Sequence, residues 1–454
     1  MAGSRRRRDV RAGSPPAEAT SAPVDTAVCL IVQLEPTAFL LLEAAAVERY
    51  SKNICRASTS TSSPLSGPYV CADLLDNLLH EIIALFNSFH DFLAFIGTCH
   101  SWRAAVSTVP SVYTLGFPPL HFKPDGPHVS PHCNGIKPTL LSNWKWQLSD
   151  PSKKNSSLAC SVPQNTPDTM RYLGCSYGYL IFSYAEHCFL IDVYTGTKVK
   201  PPKIPRNNNL WCFHGIDVLT APLNSPNSRL LLCSESSMLE WQVGTDCWSE
   251  HPLALGHEDI RQIVIFKGDI FVIDYRMRIH TVHFTPQFSV QELEFMWEPF
   301  FPINPWFVSC ADMLLMVDLS VTSFHWHGTY SHTFDVFRLD LAVEPAKFVK
   351  MDKLENYALF ISLDKRNPTF SCMSPERWGG KSNCIYAAKL LEDPAESRVA
   401  KLLEEPYESW VAVELGQPVQ EKTVQYLFYG RAYPCDYSLL SSLWVFPSLI
   451  YGSA

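Results

Sequence analysis

The stretch GYLIFSYAEHCFLIDVYTGTKV, Gly178 to Val199, sets the texture of most of the chain. Short apolar runs rich in aromatic and branched residues are separated by a polar turn and then by Thr195-Gly196. Runs of this length between turn formers predict strands joined by tight hairpins.

The same pattern recurs on either side of that stretch. It returns in RLLLCSESSMLEWQV (Arg229 to Val243) and in GDIFVIDYRMRIHTVHF (Gly268 to Phe284), where Lys267-Gly268-Asp269 forms the preceding turn. Further starts fall at Asp312 (DMLLMVDLSV), Tyr357 (YALFISLDKRNPTFSC) and Tyr407 (YESWVAVEL). With Gly178, Ser228, Gly268, Asp312, Tyr357 and Tyr407 as markers, the intervals are 50, 40, 44, 45 and 50 residues. A period of about 40–50 residues is that of a four-stranded propeller blade. At that period, residues 165–454 predict an all-β propeller of about six or seven blades, closed so that no long sheet edge is left open.

Upstream, CADLLDNLLHEIIALFNSFHDFLAFIGTCHSWRAAV (71–106) has a different period. Leu74, Leu78, Ile82 and Phe86 are four apart, with Leu75, Leu79 and Ile83 beside them, which predicts a helix with a broad apolar face capped by Asp73. Asp91 opens a second helix that ends at Gly97, and Cys99 to Val106 makes a third. Three short helices bury too little surface to be comfortable alone, so such a unit gains from a partner. Residues 1–68 hold an Arg5–Arg8 run amid Ser, Ala, Pro and Thr and are expected to be a disordered tail. Residues 109–164 are expected to be a connector and the start of the β domain.

Composition narrows the function. With a net charge of -8 the 454-residue chain is not expected to bind nucleic acid. Fifteen cysteines without a C-x-x-C pair are expected to be reduced thiols in the cytoplasm or nucleus rather than zinc ligands or disulfides. The longest apolar stretch, Cys29 to Val47, is interrupted by Gln33, Glu35, Pro36 and Glu43, so no membrane span is expected. Neither His325-Trp326-His327 with His332 nor His128, His132 and Cys133 supplies a recognisable ligand set, so no metal or other cofactor is expected. No G-x-S-x-G elbow, Gly-rich phosphate loop or H-E-x-x-H is present, and no catalytic residue is assigned.

The 71–106 segment resembles an F-box, placed here at 69–108, through Asp73-Leu74, Leu78-Leu79, Ile82, Asp91 with Leu93, and the Cys99-His100-Ser101-Trp102-Arg103 finish. Leu75 stands where the family usually has proline, and Cys71 where plant members often have Trp. The remainder is similar to the KIB-type β-propeller that follows the F-box in a large group of plant proteins. The likeness lies in Gly178 to Gly196, Lys267 to Asp274, Phe334 to Asp340, Asn383 to Leu390 and Trp444 to Tyr451. The resemblance implies a non-catalytic substrate receptor of a Skp-cullin-F-box ubiquitin ligase. Its F-box would meet a Skp-type adaptor, and through it a cullin, by way of Leu74, Leu75, Leu78, Ile82, Leu93, Ile96 and Trp102. The propeller would hold a target protein, and a proline-broken aromatic run makes Trp297, Phe300 and Trp306 the candidate target contacts. A propeller with a degenerate F-box and no ligase role, and a propeller hydrolase, are the alternatives.

Overall fold

A computed structural model of the chain describes residues 76–83, 85–98, 102, 117–125, 145–153, 157–161, 170–205, 216–233, 237–253, 260–285, 287–296, 302, 305–324, 330–388, 410–419 and 440–448. The expected tail at 1–68 lies outside these residues, as do Leu74, Leu75, Trp297 and Phe300. The described residues all belong to one unit, 65–454.

The hairpin that opens the Gly178 stretch is a two-residue turn. Tyr177 and Gly178 have φ of 47° and 80°, and Lys267 and Gly268 have 54° and 88°. Two successive positive φ values match the right-handed twist of the strands they join, which is why glycine stands second in both. Four of the sequence markers, Gly178, Ser228, Gly268 and Asp312, fall at one structural position, between the first and second strands of successive sheets.

Six sheets are present among the described residues, and they form a six-bladed propeller. From the inner strand outward, blade 1 is Leu443–Val445, Leu120–Asp125, Lys145–Ser149 and Ser157–Ser161. Blade 2 is Arg171–Ser176, Tyr179–Tyr184, His187–Asp192 and Lys198–Val199. Blade 3 is Val218–Leu219, Arg229–Cys233, Ser237–Gln242 and Ser249–Pro252, and blade 4 is Ile260–Phe266, Asp269–Asp274, Ile279–His283 and Ser289–Glu292. Blade 5 is Trp306–Cys310, Met313–Phe324, Tyr330–Asp340 and Ala346–Met351, edged by Phe295–Met296 and joined by Pro418–Val419 at His332 and Thr333. Blade 6 is Phe370–Met373, Tyr357–Ser362, Cys384–Ala388 and Trp410–Glu414.

Two blades depart from a simple meander. In blade 6, Tyr357–Ser362 runs parallel to Cys384–Ala388, because the chain crosses over through the Pro375–Trp378 turn. In blade 1, three strands come from residues 120–161 and the inner one from the far end of the chain, with Leu120 opposite Val445 and Phe122 opposite Leu443. That pairing closes the ring.

Continuous apolar runs follow from burial on both sheet faces, since consecutive residues of a strand point to opposite sides. Leu230 packs toward blade 2 while Leu231 packs toward blade 4. Val264 and Phe307 share the wedge between blades 4 and 5, and Val308 with Leu359 the next one. Phe360, Tyr386 and Trp444 fill the wedge between blades 6 and 1. Each side chain of this size contributes about 1.5–3 kcal/mol when fully buried.

Candidate functional site

Two features of the molecule could engage other molecules: the helical segment and the cavity on the propeller axis. The helical segment contains α1 (Asp76–Ile83) and α2 (Phe89–Thr98). Ser88 caps α2. Its Oγ accepts from the Asp91 N–H at 3.1 Å and donates to the Asp91 carboxylate at 2.6 Å. The Phe89 N–H donates to Asp150 Oδ2 at 2.9 Å, so a residue just beyond a blade 1 strand fills a second orphan site of the helix start. Lys153 Nζ donates to Asp91 Oδ1 at 2.9 Å. Burial raises the Asp91 carboxyl, but the bonds from Ser88 and Lys153 and the lysine charge outweigh it and hold it below the usual range.

Leu79, Ile83, Phe86, Phe89, Phe92 and Phe95 are buried in one core with Phe117, Phe122 and Trp146 of the propeller. The helices are therefore seated on blades 1 and 2. Leu78 and Ile82 are half-buried, and Leu85 is 58% exposed. Leu78 and Ile82, four apart in α1, and Leu85 in the turn after it make an apolar row beside the buried one, with Ile82 also packed in part against that core. Leu93 is only 8% exposed and lies within the core. Ile96 lies in α2, and Trp102 packs on Phe95 with ring centroids 4.6 Å apart. Leu93 and Trp102 thus support the helices from within.

The aromatic run does not supply Trp306 as a target contact. Trp306 opens the inner strand of blade 5, is 1% exposed, and donates its Nε1–H to the Ser362 carbonyl at 2.9 Å. Pro305 precedes the strand, where its missing N–H interrupts no pairing, so proline here marks a strand start and not an exposed loop.

Sequence reasoning did not find the second feature. Residues of the inner strands of blades 2 to 5 and the loop entering the inner strand of blade 6 enclose a cavity of about 190 Å³. Its polar lining includes Ser176, Asp217, Gln262, Ser309, Lys365 and Asn367. Gln262 crosses to blade 5, accepting from the Phe307 N–H at 2.8 Å and donating to the Phe307 carbonyl at 2.9 Å. The Arg366 guanidinium binds Asp364 and donates to the Tyr172 carbonyl at 2.8 Å, while Tyr172 donates its hydroxyl to Asn367 Oδ1 at 2.5 Å. Asp217 is 1% exposed and accepts from the Cys233 N–H at 2.9 Å. Burial pushes its carboxyl well above the usual carboxylate range. Gly174 lies between blade 3 and the blade 6 loop, and a Cβ there would come within 2.6 Å of the Asp217 carbonyl oxygen. No group of three or more acidic, His or Cys side chains that could hold a metal ion occurs among the described residues.

The KIB1-4 beta-propeller family model matches residues 148–411, more than half of the chain. The chain belongs to the KIB1-4 beta-propeller family. It is thus a protein-interaction propeller of the KIB type, and Gly178 to Gly196 and Lys267 to Asp274, read as KIB-like, lie in blades 2 and 4. No curated protein matches the chain. Among solved structures, the KIB1-4 propeller is similar to Bacteroides ovatus Xyloglucan PUL GH43B, at 11% identity over 41% of this chain and 42% of that one, with a TM-score of 0.24. It is also similar to BBS1N in complex with ARL6DN, at 14% identity over 43% and 66% of the two chains with a TM-score of 0.24. YCF48 from Cyanidioschyzon merolae gives 9% identity, 44% and 66% coverage, and a TM-score of 0.22. The chain spans under two thirds of the length of each of these structures, and their activities and partners are not carried over. No helix among the described residues is long and apolar enough to cross a membrane.

Proposed function

We propose that this chain is a non-catalytic, intracellular target-recognition subunit of a Skp-cullin-F-box ubiquitin ligase. The helical segment meets a Skp-type adaptor and the propeller holds a target protein. The observation that carries the reading is the row Leu78, Ile82 and Leu85, which stays partly or largely exposed beside a fully buried row on the same segment. Charged side chains would be the ordinary occupants of such a face, and three apolar ones favour a partner. Its mechanism is proximity: α2, bonded to Asp150 and Lys153, holds the adaptor side at a fixed orientation to blade 1 and raises the effective concentration of a propeller-bound target near the transfer machinery. A propeller with no ligase role remains the second reading, favoured by Leu75 at the usual proline position. A hydrolase reading has less support, since Asp217 is the one acid lining the cavity among the described residues.

Leu78→Glu with Leu85→Glu tests the proposal without disturbing the buried row. Burying each leucine against a partner is worth up to about 1.5–3 kcal/mol, so the pair is expected to weaken adaptor capture by roughly tenfold or more, with an unchanged melting curve. Failure of the intact chain to capture any Skp-type adaptor, or equal capture by the variant, refutes the ligase role.

A further inference from the structure

We propose that the axial cavity is a binding site for a small neutral polyol, a molecule of monosaccharide size whose hydroxyl groups pair with Asn367, Asp217, Ser176 and Thr369. The first argument is the pair of orphaned groups in the lining. Asn367 is 3% exposed; its Oδ1 accepts from the Tyr172 hydroxyl, and its Nδ2 has no partner among the described residues. Asp217 is 1% exposed; one carboxyl oxygen accepts from the Cys233 N–H, and the other, Oδ2, likewise has no partner among them. Nearly all buried polar groups of folded proteins are satisfied, so two orphans in the lining of one cavity point to an occupant that completes their bonds. The segments that carry them meet at Gly174. A Cβ there would lie 2.6 Å from the Asp217 carbonyl oxygen and 3.2 Å from that of Arg366, and the Cys175 N–H donates to the same Arg366 carbonyl at 3.3 Å. The inner strand of blade 2 thereby joins the entry of blade 3 to the loop entering blade 6, which is how Asp217 and Asn367 come to share one lining.

The second argument is the direction of the bonds. The Asn367 amide asks for an acceptor. Two lining hydroxyls ask for donors: Ser176 gives its proton to the Leu219 carbonyl at 3.1 Å and Thr369 to the Phe307 carbonyl at 2.8 Å, so each can only accept from an occupant. The occupant must therefore both donate and accept. A hydroxyl does both, and it pairs with Asp217 Oδ2 whether that carboxyl is ionised or protonated. An acceptor-only anion leaves the Ser176 and Thr369 oxygens unused, and an ammonium leaves the amide unmet.

The third argument is size and surroundings. At about 190 Å³ the cavity exceeds the roughly 30 Å³ share of one water several times over, and Ile216, Val218 and Ile263 in its lining offer apolar contact to a carbon skeleton. The site is independent of adaptor docking.

Calorimetry and thermal melting of the full chain with myo-inositol, xylitol and D-glucose test the site. Sucrose, a disaccharide too large for the cavity, controls for the general stabilisation that excluded sugars give, and cyclohexanol controls for a single hydroxyl. Saturable binding of at least one of the three polyols at millimolar concentration, absent with both controls, is expected. Asn367→Asp keeps an oxygen for Tyr172 and removes the amide donor, and is expected to weaken binding at least about tenfold, its fold checked by the unliganded melt. Thr369→Val is the second variant: it keeps the shape, and the Phe307 carbonyl retains its bond from Gln262, so the fold is expected to hold while binding falls roughly twofold to tenfold. No saturable response to any of the three polyols, an equal response to sucrose or cyclohexanol, or undiminished binding in Thr369→Val overturns the assignment.

Discussion

Asp217 shows how one buried group ties stability to pH. Its carboxyl is sealed between blades, one oxygen accepts from the Cys233 N–H, and burial raises its folded pKa above the unfolded value near about 3.9. A raised acid binds more protons folded than unfolded, so its contribution is fully present below about pH 4 and declines as pH rises toward the folded pKa. Asp217→Asn keeps the oxygen that faces Cys233 and removes the titration. Relative to the native chain, the variant is expected to gain stability progressively as pH rises above about 4, with little difference at the acid end. Urea midpoints of both proteins at pH 4 and 7.5 check this. An identical offset at the two pH values would mean that Asp217 is already ionised in the fold.

The joint between α2 and blade 1 rests on few bonds, and they are not equal. Asp150 satisfies a backbone N–H at a helix start, whereas Lys153 and Asp91 form an ion pair that solvent partly reaches. Removing a helix cap costs about 0.5–2 kcal/mol, while partly exposed pairs are worth about 0–1. Asp150→Ala is therefore expected to speed amide exchange across Phe89–Thr98 while the blade 4 strands keep their protection, and Lys153→Ala to change little. Equal protection of α2 in Asp150→Ala would show that the phenylalanine core alone fixes the helix. Elements differ in how far the sequence reveals them. Tyr177-Gly178 and Lys267-Gly268 are legible because a two-residue turn is a local demand on φ. Phe89 with Asp150, 61 positions apart, is not legible, and neither is the parallel pairing of Tyr357–Ser362 with Cys384–Ala388, which depends on a crossover. The candidate contact Trp306 was misplaced for a related reason: adjacent prolines suggest a loop, but only the ring of blades shows that its indole lies in a wedge. The axial cavity gathers residues from five blades, so no window of sequence contains it.

At the scale of the whole ring, closure depends on a few residues near the end of the chain. Leu443, Trp444, Val445 and Phe446 are buried, and Trp444 donates its Nε1–H to the Tyr386 carbonyl at 3.1 Å. The Ser448 hydroxyl bonds the Asp192 carboxylate, and a Cβ on Gly178 would lie 2.2 Å from the Ser448 nitrogen, so blade 2 holds the same segment from the other side. Four such side chains are worth about 6–12 kcal/mol at roughly 1.5–3 each, comparable with the roughly 5–15 kcal/mol that separates a folded domain from its unfolded chain. Their loss also exposes the Leu120–Asp125 strand as an unpaired edge. Removal of residues 440–454 is accordingly expected to abolish the single cooperative melt and to expose dye-binding apolar surface. A synthetic peptide of residues 440–454 added in excess is expected to restore part of the transition by supplying the missing inner strand. A truncated chain that melts at the native temperature would show that the six-bladed ring is held by its remaining wedges and does not need this strand.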